Sequence, residues 1–407
     1  MLAFILLVTR VVIPATGHMT YGFIGPYTSS RLLLQGELGP QAYDNDWFIG
    51  QVRTITEQPL DEVLSPNLPT MALMALPFAY LPPQLARDTW IWLNLFILLG
   101  SLGLLLITLH RFNRNGPQAV RWFLLLALAM GFSPLLQNFV LGKGYILMLA
   151  FYVGALWGLV TKRDALVGLA LGLAFVFKTS GVLLWLLLLV CRRWKALGWG
   201  IGTVLGIVLI SLPWIGLDTW RAYLQAMSEV SNGPAMTSTA YQTTFSFLTH
   251  LSRFDPFWNP YPLLDLPFLA RAVAPVIALG AIALTVWRGW RAPLPFFFAA
   301  LVPLSIILLP LAEEYQFVLL LVPIFVLLDD LVQRSPPASF PLSEWVLVGL
   351  ALGLLMAPIP YKNPAISARW LALLAYPRMY GSWLLWAAIL RRMVRRQNEL
   401  ALLRGLE

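Results

Sequence analysis

ALVGLALGLAFVFKTSGVLLWLLLLV, residues Ala165 to Val190, carries one charge, Lys178, in 26 positions. Basic loops stand at both ends: Lys162 and Arg163 before it, Arg192, Arg193 and Lys195 after it. A single helix of that length would cross a bilayer and put the two loops on opposite faces, against the rule that Lys and Arg collect on the cytoplasmic side. Two short helices meeting at Lys178 satisfy the rule. Thirteen helical residues reach about 20 Å, less than a hydrocarbon core of about 30 Å. This reading places Lys178 below the outer membrane surface, in a crevice. A lysine at that depth is costly and points to a pathway or a site. The plainer reading is a helix-end lysine that snorkels to the interface.

The rest of the chain agrees with a membrane setting. Hydrophobic residues make up 59% and charged residues 12%, with a mean hydropathy of +0.73. A soluble domain carries about 25% charged residues. The net charge is +9, but the basic residues are scattered between apolar runs, as membrane anchors are, so nucleic acid is not an expected partner. Cys191 is the only cysteine, which excludes an internal disulfide and a Cys-based metal site. The absence of Asn-x-Ser/Thr acceptors fits a bacterial plasma (inner) membrane.

Basic clusters at Arg111, Arg114 and Arg121, at Lys162 and Arg163, at Arg192 to Lys195, at Arg288 and Arg291, and in the tail from Arg391 to Arg404 are read as cytoplasmic. The other ends then fall at Gly17 to Pro66, Gly142 to Gly144, Lys178 to Ser180, Ile215 to Leu266, Ala312 to Tyr315 and Tyr361 to Met379. The alternation predicts an all-α polytopic membrane protein of about twelve transmembrane helices (11–13), with both termini cytoplasmic. The chain 1–407 reads as a single integral-membrane domain with outer loops at about 17–66 and 215–266. Lys362, Arg369 and Arg378 break the charge rule on the outer side. The first span, Leu2 to Ile13, is short and holds Arg10, so it either runs on past Pro14 toward Tyr21 or begins upstream of Met1. Asn67 to Pro82 is apolar but interrupted by Pro69, Pro77 and Pro82, and is read as a broken, re-entrant or interfacial segment lining the same crevice.

The first outer loop holds six carboxylates against Arg31 and Arg53, and contains YDNDWF at Tyr43 to Phe48. A membrane protein that gathers carboxylates in one outer loop is equipped for chemistry there. The competing reading of YDNDWF is a surface turn with Asp caps, since Asp and Asn favour turns and helix starts. His18 and His250 are distant from each other, lack a nearby third ligand and read as structural, and His110, beside a basic cytoplasmic loop, reads as an interface residue, so no metal site is expected.

Several stretches, in order, resemble one family. YTSSRLLLQG (Tyr27 to Gly36), YDNDWF and SPNLPTMALMALPFAYLP (Ser65 to Pro82) are similar to the first extracytoplasmic loop of GT-C class polytopic glycosyltransferases. SPLLQNFVLGKGYILML (Ser133 to Leu149), the Gly168 to Lys195 segment, YQTTFSFLTHLSR (Tyr241 to Arg253) and EEYQFVLLLVP (Glu313 to Pro323) extend the resemblance. The nearest family is glycosyltransferase family 87, which includes polyprenyl-phosphate-mannose-dependent mannosyltransferases. The resemblance implies a GT-C-like architecture with loop helices on the outer side. It also implies transfer of a hexose, mannose foremost, from a polyprenyl-phosphate sugar to a lipid or glycan acceptor, with inversion. Membrane lipids are the remaining expected partners.

The chain departs from the family at the site itself. The Asp expected a few residues before the first-loop Tyr is missing from YGFIGPY, Lys143 stands where a Gln is usual, and Glu313 or Glu314 replaces a His near Tyr315. The general base is therefore expected at Asp46 or Asp44, flanked by Tyr43 and Trp47, with Asp61 and Glu62 in reserve and Glu314 as a further place for it. Glu313, Glu314 and Tyr315 could also orient an acceptor. Arg31, Lys143 and Lys178 are the expected donor-phosphate ligands, with Arg369 and Arg378 next. Basic side chains can serve a monophosphate leaving group without a metal, so no cofactor is expected, a divalent cation remaining compatible. A transporter or flippase of a lipid-linked glycan and a non-catalytic relative are the alternative readings. Few charges lie deep in the spans and no internal repeat is evident, which favours the enzyme over the transporter.

Overall fold

A computed structural model describes residues 2–113, 118–179, 181–334 and 342–404. Arg114 and Ser180 lie outside them. The described residues are all-helical, with no strand.

The N-terminal helix passes from α1 (Leu2–Leu7) through a π-turn (Val8–Val12) into α2 (Ile13–Ala15) and stops there. The first insert is folded. α3 (Ile24–Gln35), a 3-10 turn (Pro40–Tyr43) and α4 (Asn45–Thr56) enclose Ile24, Leu32, Phe48 and Val52. Beyond it the chain is broken, as its prolines demand, into 3-10 turns at Pro69–Leu73 and Leu76–Phe78. A long helix, α5 (Pro83–Phe112), follows, then α6 (Gln118–Gly131), α7 (Ser133–Leu141) and α8 (Tyr145–Val160).

The apolar stretch around Lys178 divides into α9 (Asp164–Lys178) and α10 (Val182–Val190). Thr179, at φ 46°, takes the left-handed conformation that ends α9, and Gly181, at φ 74° and also left-handed, stands just before α10. Lys178 is the last helical residue, as the charge pattern required. α11 (Trp194–Ile215) and α12 (Leu217–Asn232) lead through α13 (Thr244–Ser252) to α14 (Leu269–Gly289) and α15 (Leu294–Ile307). A 3-10 segment, Glu314–Leu320, runs into α16 (Leu321–Arg334), and α17 (Leu342–Met356) and α18 (Pro377–Arg404) complete the fold.

α15 and the Glu314–Val332 helix form the centre; 89% of the latter's most apolar window is buried, against 17% for α11 and 22% for α14. The outer helices turn Leu205, Leu209, Ile210, Val276 and Leu279 away from the protein. Such faces suit hydrocarbon and not water. Among the described residues four helices, Pro83–Phe112, Trp194–Ile215, Leu269–Gly289 and Glu314–Val332, are long and apolar enough to cross a membrane, and Phe4–Ala15, Tyr145–Val160, Leu294–Ile307 and Leu342–Met356 are shorter apolar helices. That is fewer full-length helices than the twelve spans expected, because proline, glycine and left-handed residues cut the apolar runs into short pieces.

At the basic end of the bundle, buried and half-buried ion pairs tie helix ends together. Arg121 reaches Asp329 at 2.6 Å, Arg392 and Arg396 reach Asp330 at 2.6 and 2.8 Å, and Arg193 reaches Asp164 at 3.1 Å. Asp164 and Lys178 stand at opposite ends of α9, as Asp329 and Glu314 do on the central helix. These aspartates are thus remote from the lysine end.

Candidate active site

At that other end the 62–68 segment, the α7–α8 turn, the end of α9, Tyr241 and residues 309–316 enclose a cavity of about 260 Å³. It brings together Glu62, Lys143, Lys178, Glu313 and Tyr315, five of the residues singled out in the sequence.

Lys143 enters because α7 ends on Gly142 at φ +64°, which turns the chain back before α8. Its Nζ lies 3.9 Å from Glu62 Oε1 and 4.9 Å from the centre of the Tyr315 ring. Glu62 is held in turn by the Gly22 amide, which donates to Oε2 at 2.6 Å. Gly22 sits at φ +103°, and a Cβ there would come within 2.5 Å of the Leu141 carbonyl oxygen, so the approach needs glycine.

Lys178 Nζ donates to Asn67 Oδ1 at 2.7 Å and lies 5.5 Å from the Tyr145 ring centre. Tyr145 and Tyr315 pack with ring centres 5.4 Å apart, so each of two neighbouring phenol rings carries an ammonium group on its face. Lys143, Glu62 and Glu313 all act electrostatically on Lys178. Glu313 Oε1 accepts from the Tyr315 hydroxyl at 3.0 Å. Burial and the charge of Glu313 push the Tyr241 phenol up from its ordinary value.

The adjacent Glu314 does something different. Its carboxylate takes Ser133 Oγ at 2.8 Å, Arg378 Nη2 at 2.7 Å and the Tyr361 hydroxyl at 2.9 Å. Arg378 is 2% exposed and also donates to the carbonyls of Leu354 and Leu355 and to Ser133. Burial, and then the charge of Glu314, raise the Tyr361 phenol. Glu314 and Arg378 thus form a polar clamp between α7, α17 and α18, outside the cavity lining.

The other expected residues lie elsewhere. Asp44 caps α4, its carboxylate accepting from the amides of Asp46 and Trp47, and both aspartates are exposed. Asp61 pairs with Arg53 at 2.5 Å on the exposed surface. Arg31 donates to the Ala79 carbonyl at 2.9 Å, and the exposed Arg369 lies 5.7 Å from the Tyr261 ring centre. None of these lines the cavity. His250 is buried, both ring nitrogens facing backbone carbonyls.

Asn67, Tyr145 and Tyr241 line the cavity without having been singled out. Each belongs to a stretch that carries the family resemblance, and that was the available signal. Among the described residues no group of three His, Cys, Asp or Glu side chains is placed to hold a metal.

Comparison with known proteins returned no significant match to any curated protein or solved structure. The family model described as glycosyltransferase family 87 matches residues 67–312. That range is more than half of the chain and holds Asn67, Lys143, Tyr145, Lys178 and Tyr241. The chain belongs to glycosyltransferase family 87 and is a membrane glycosyltransferase.

Proposed function

We propose that the chain transfers a hexose, mannose foremost, from a polyprenyl-phosphate sugar to a lipid or glycan acceptor, with inversion. The observation that carries this reading is the meeting of two lysines, two glutamates and two packed tyrosines in one cavity. Lys143 and Lys178 take the donor phosphate. Their ammonium groups stabilise the charge that develops on the phosphate oxygen as the bond to the anomeric carbon breaks. The acceptor oxygen attacks that carbon from the opposite face, and its proton passes to a carboxylate. The bonding pair leaves with the polyprenyl phosphate.

Glu313 is our first choice for the base and Glu62 the second. Glu313 lines the cavity with Tyr315 on one oxygen, whereas Glu62 is shared between Lys143 and the Gly22 amide. On this reading Asp44 and Asp46 keep a structural part at the start of α4. We further place the cavity on the extracytoplasmic side, with twelve spans and both termini cytoplasmic, since the basic helix ends collect at the other end of the bundle. Two ammonium groups serve a monophosphate without a metal.

The test is to incubate the purified, reconstituted protein with radiolabelled polyprenyl-phosphate mannose or glucose and candidate acceptors. Release of polyprenyl phosphate together with a glycosylated acceptor is expected. No release from any such donor would overturn the donor assignment.

A further inference from the structure

A second concavity, of about 430 Å³, opens at the basic end between α14 and α18, beside Glu344 of α17. Its floor is apolar, from Leu284, Leu390 and Val394, and its rim carries Arg288, Arg391 and Arg395. Arg395 is fixed by Glu344 Oε2 at 3.2 Å, and that carboxylate is itself buried. Arg391 is exposed and Arg288 half-buried, and among the described residues neither forms an ion pair. The rim therefore holds more positive charge than the one buried glutamate offsets. The helices that flank it carry apolar side chains turned away from the protein, Val276 and Leu279 on α14 and Val346 and Leu350 on α17, so the groove stands beside faces suited to lipid.

We propose that this groove binds an anionic phospholipid. Guanidinium groups recognise phosphate oxygens with paired donors. The chain provides them above an apolar floor and beside two lipid-facing helices, and a phospholipid has the same order, with phosphate above acyl chains. Basic pockets between membrane helices are suited to such head groups. A free phosphate would satisfy the rim but leave the apolar floor open. The site is separate from the lysine cavity and does not depend on the donor assigned there.

The experiment uses the full-length protein in nanodiscs of zwitterionic phosphatidylcholine, with phosphatidylglycerol titrated in and bound lipid read by native mass spectrometry. Preferential retention of phosphatidylglycerol is expected in the wild type. In the double variant Arg288→Gln/Arg391→Gln retention should fall about thirty-fold, about fivefold for each charge. Val394→Trp, which keeps every charge but fills the floor, should also lower it. Glycerol phosphate, offered to the protein in detergent, should not compete. Equal retention of the two lipids by the wild type, unchanged retention in both variants, or competition by glycerol phosphate would overturn the assignment.

Discussion

Lys178 donates to Asn67 across 111 positions of sequence, joining the end of α9 to the start of the proline-broken segment. The amide oxygen aims the ammonium without neutralising it. An anion in the cavity would meet this group together with Lys143, which lines the same space.

The first prediction follows from that geometry. Lys178→Ala should lower kcat/KM for the lipid-phosphate donor by about 10² to 10³, the range for losing one group aimed at developing charge. Asn67→Ala should cost less, because the ammonium survives and only its aim is lost. Initial rates of polyprenyl phosphate release measure both. Unchanged kinetics in Lys178→Ala would remove the lysine from the site.

The base can be identified by three parallel variants. Glu313→Gln should lower kcat by about 10² to 10⁴ while donor binding persists. Glu62→Gln should act mainly on KM, through Lys143. Asp46→Asn should behave as wild type, since Asp46 is exposed in the first turn of α4. If Asp46→Asn alone abolished transfer, the base would return to the first insert.

How far the sequence carried these conclusions depended on range. The helix break at Lys178 was legible because charge placement and helix length conflict unless the chain turns there. The turns after Asn67 were legible because proline acts locally. Membrane class and family followed from composition and from ordered motifs. The partners of each carboxylate were not legible. Asp44 serves its own helix, which the local preference of Asp for caps allowed, while Glu62 reaches Lys143 only through the tertiary fold. Glu313 and Glu314 are neighbours with opposite surroundings, and no spacing rule separates them. The number of spans was obscured for a related reason, since short helices that pack on one another read as apolar runs whether or not they cross.

Glu314 and Arg378 offer a stability test. Arg378→Ala leaves a largely buried carboxylate with only Ser133 and Tyr361 as partners, and removing one member of a buried pair costs roughly 3–5 kcal/mol. A marked fall in thermal midpoint in detergent is expected. If Arg378 bound the donor phosphate instead, KM would rise while the midpoint stayed in place.

Chelation tests the part assigned to the lysines. With Lys143 and Lys178 supplying positive charge at the departing phosphate, excess EDTA should leave the rate of polyprenyl phosphate release unchanged. A rate lost to EDTA and restored by magnesium or manganese would require a cation in the step.

The last prediction concerns how α9 is held in place. α9 packs closely on α11, and a Cβ at Gly168 would lie 2.3 Å from the Ala196 carbonyl oxygen and 2.7 Å from the Gly200 nitrogen. Backbone atoms cannot yield as a flexible side chain can, so Gly168→Ala must push the helices apart. Overpacking of this kind costs about 1–3 kcal/mol. Because α9 is a continuous helix, the displacement should carry to Lys178 and lower the transfer rate as well as the thermal midpoint. Gly198→Ala is the matched control. It lies on α11 with open space around the added methyl, and replacing glycine in a helix interior is favourable by roughly 0.5–1 kcal/mol. Measured side by side, Gly168→Ala should lose stability and rate while Gly198→Ala keeps both. Equal behaviour of the two variants would mean that close packing against α11 does not position the lysine.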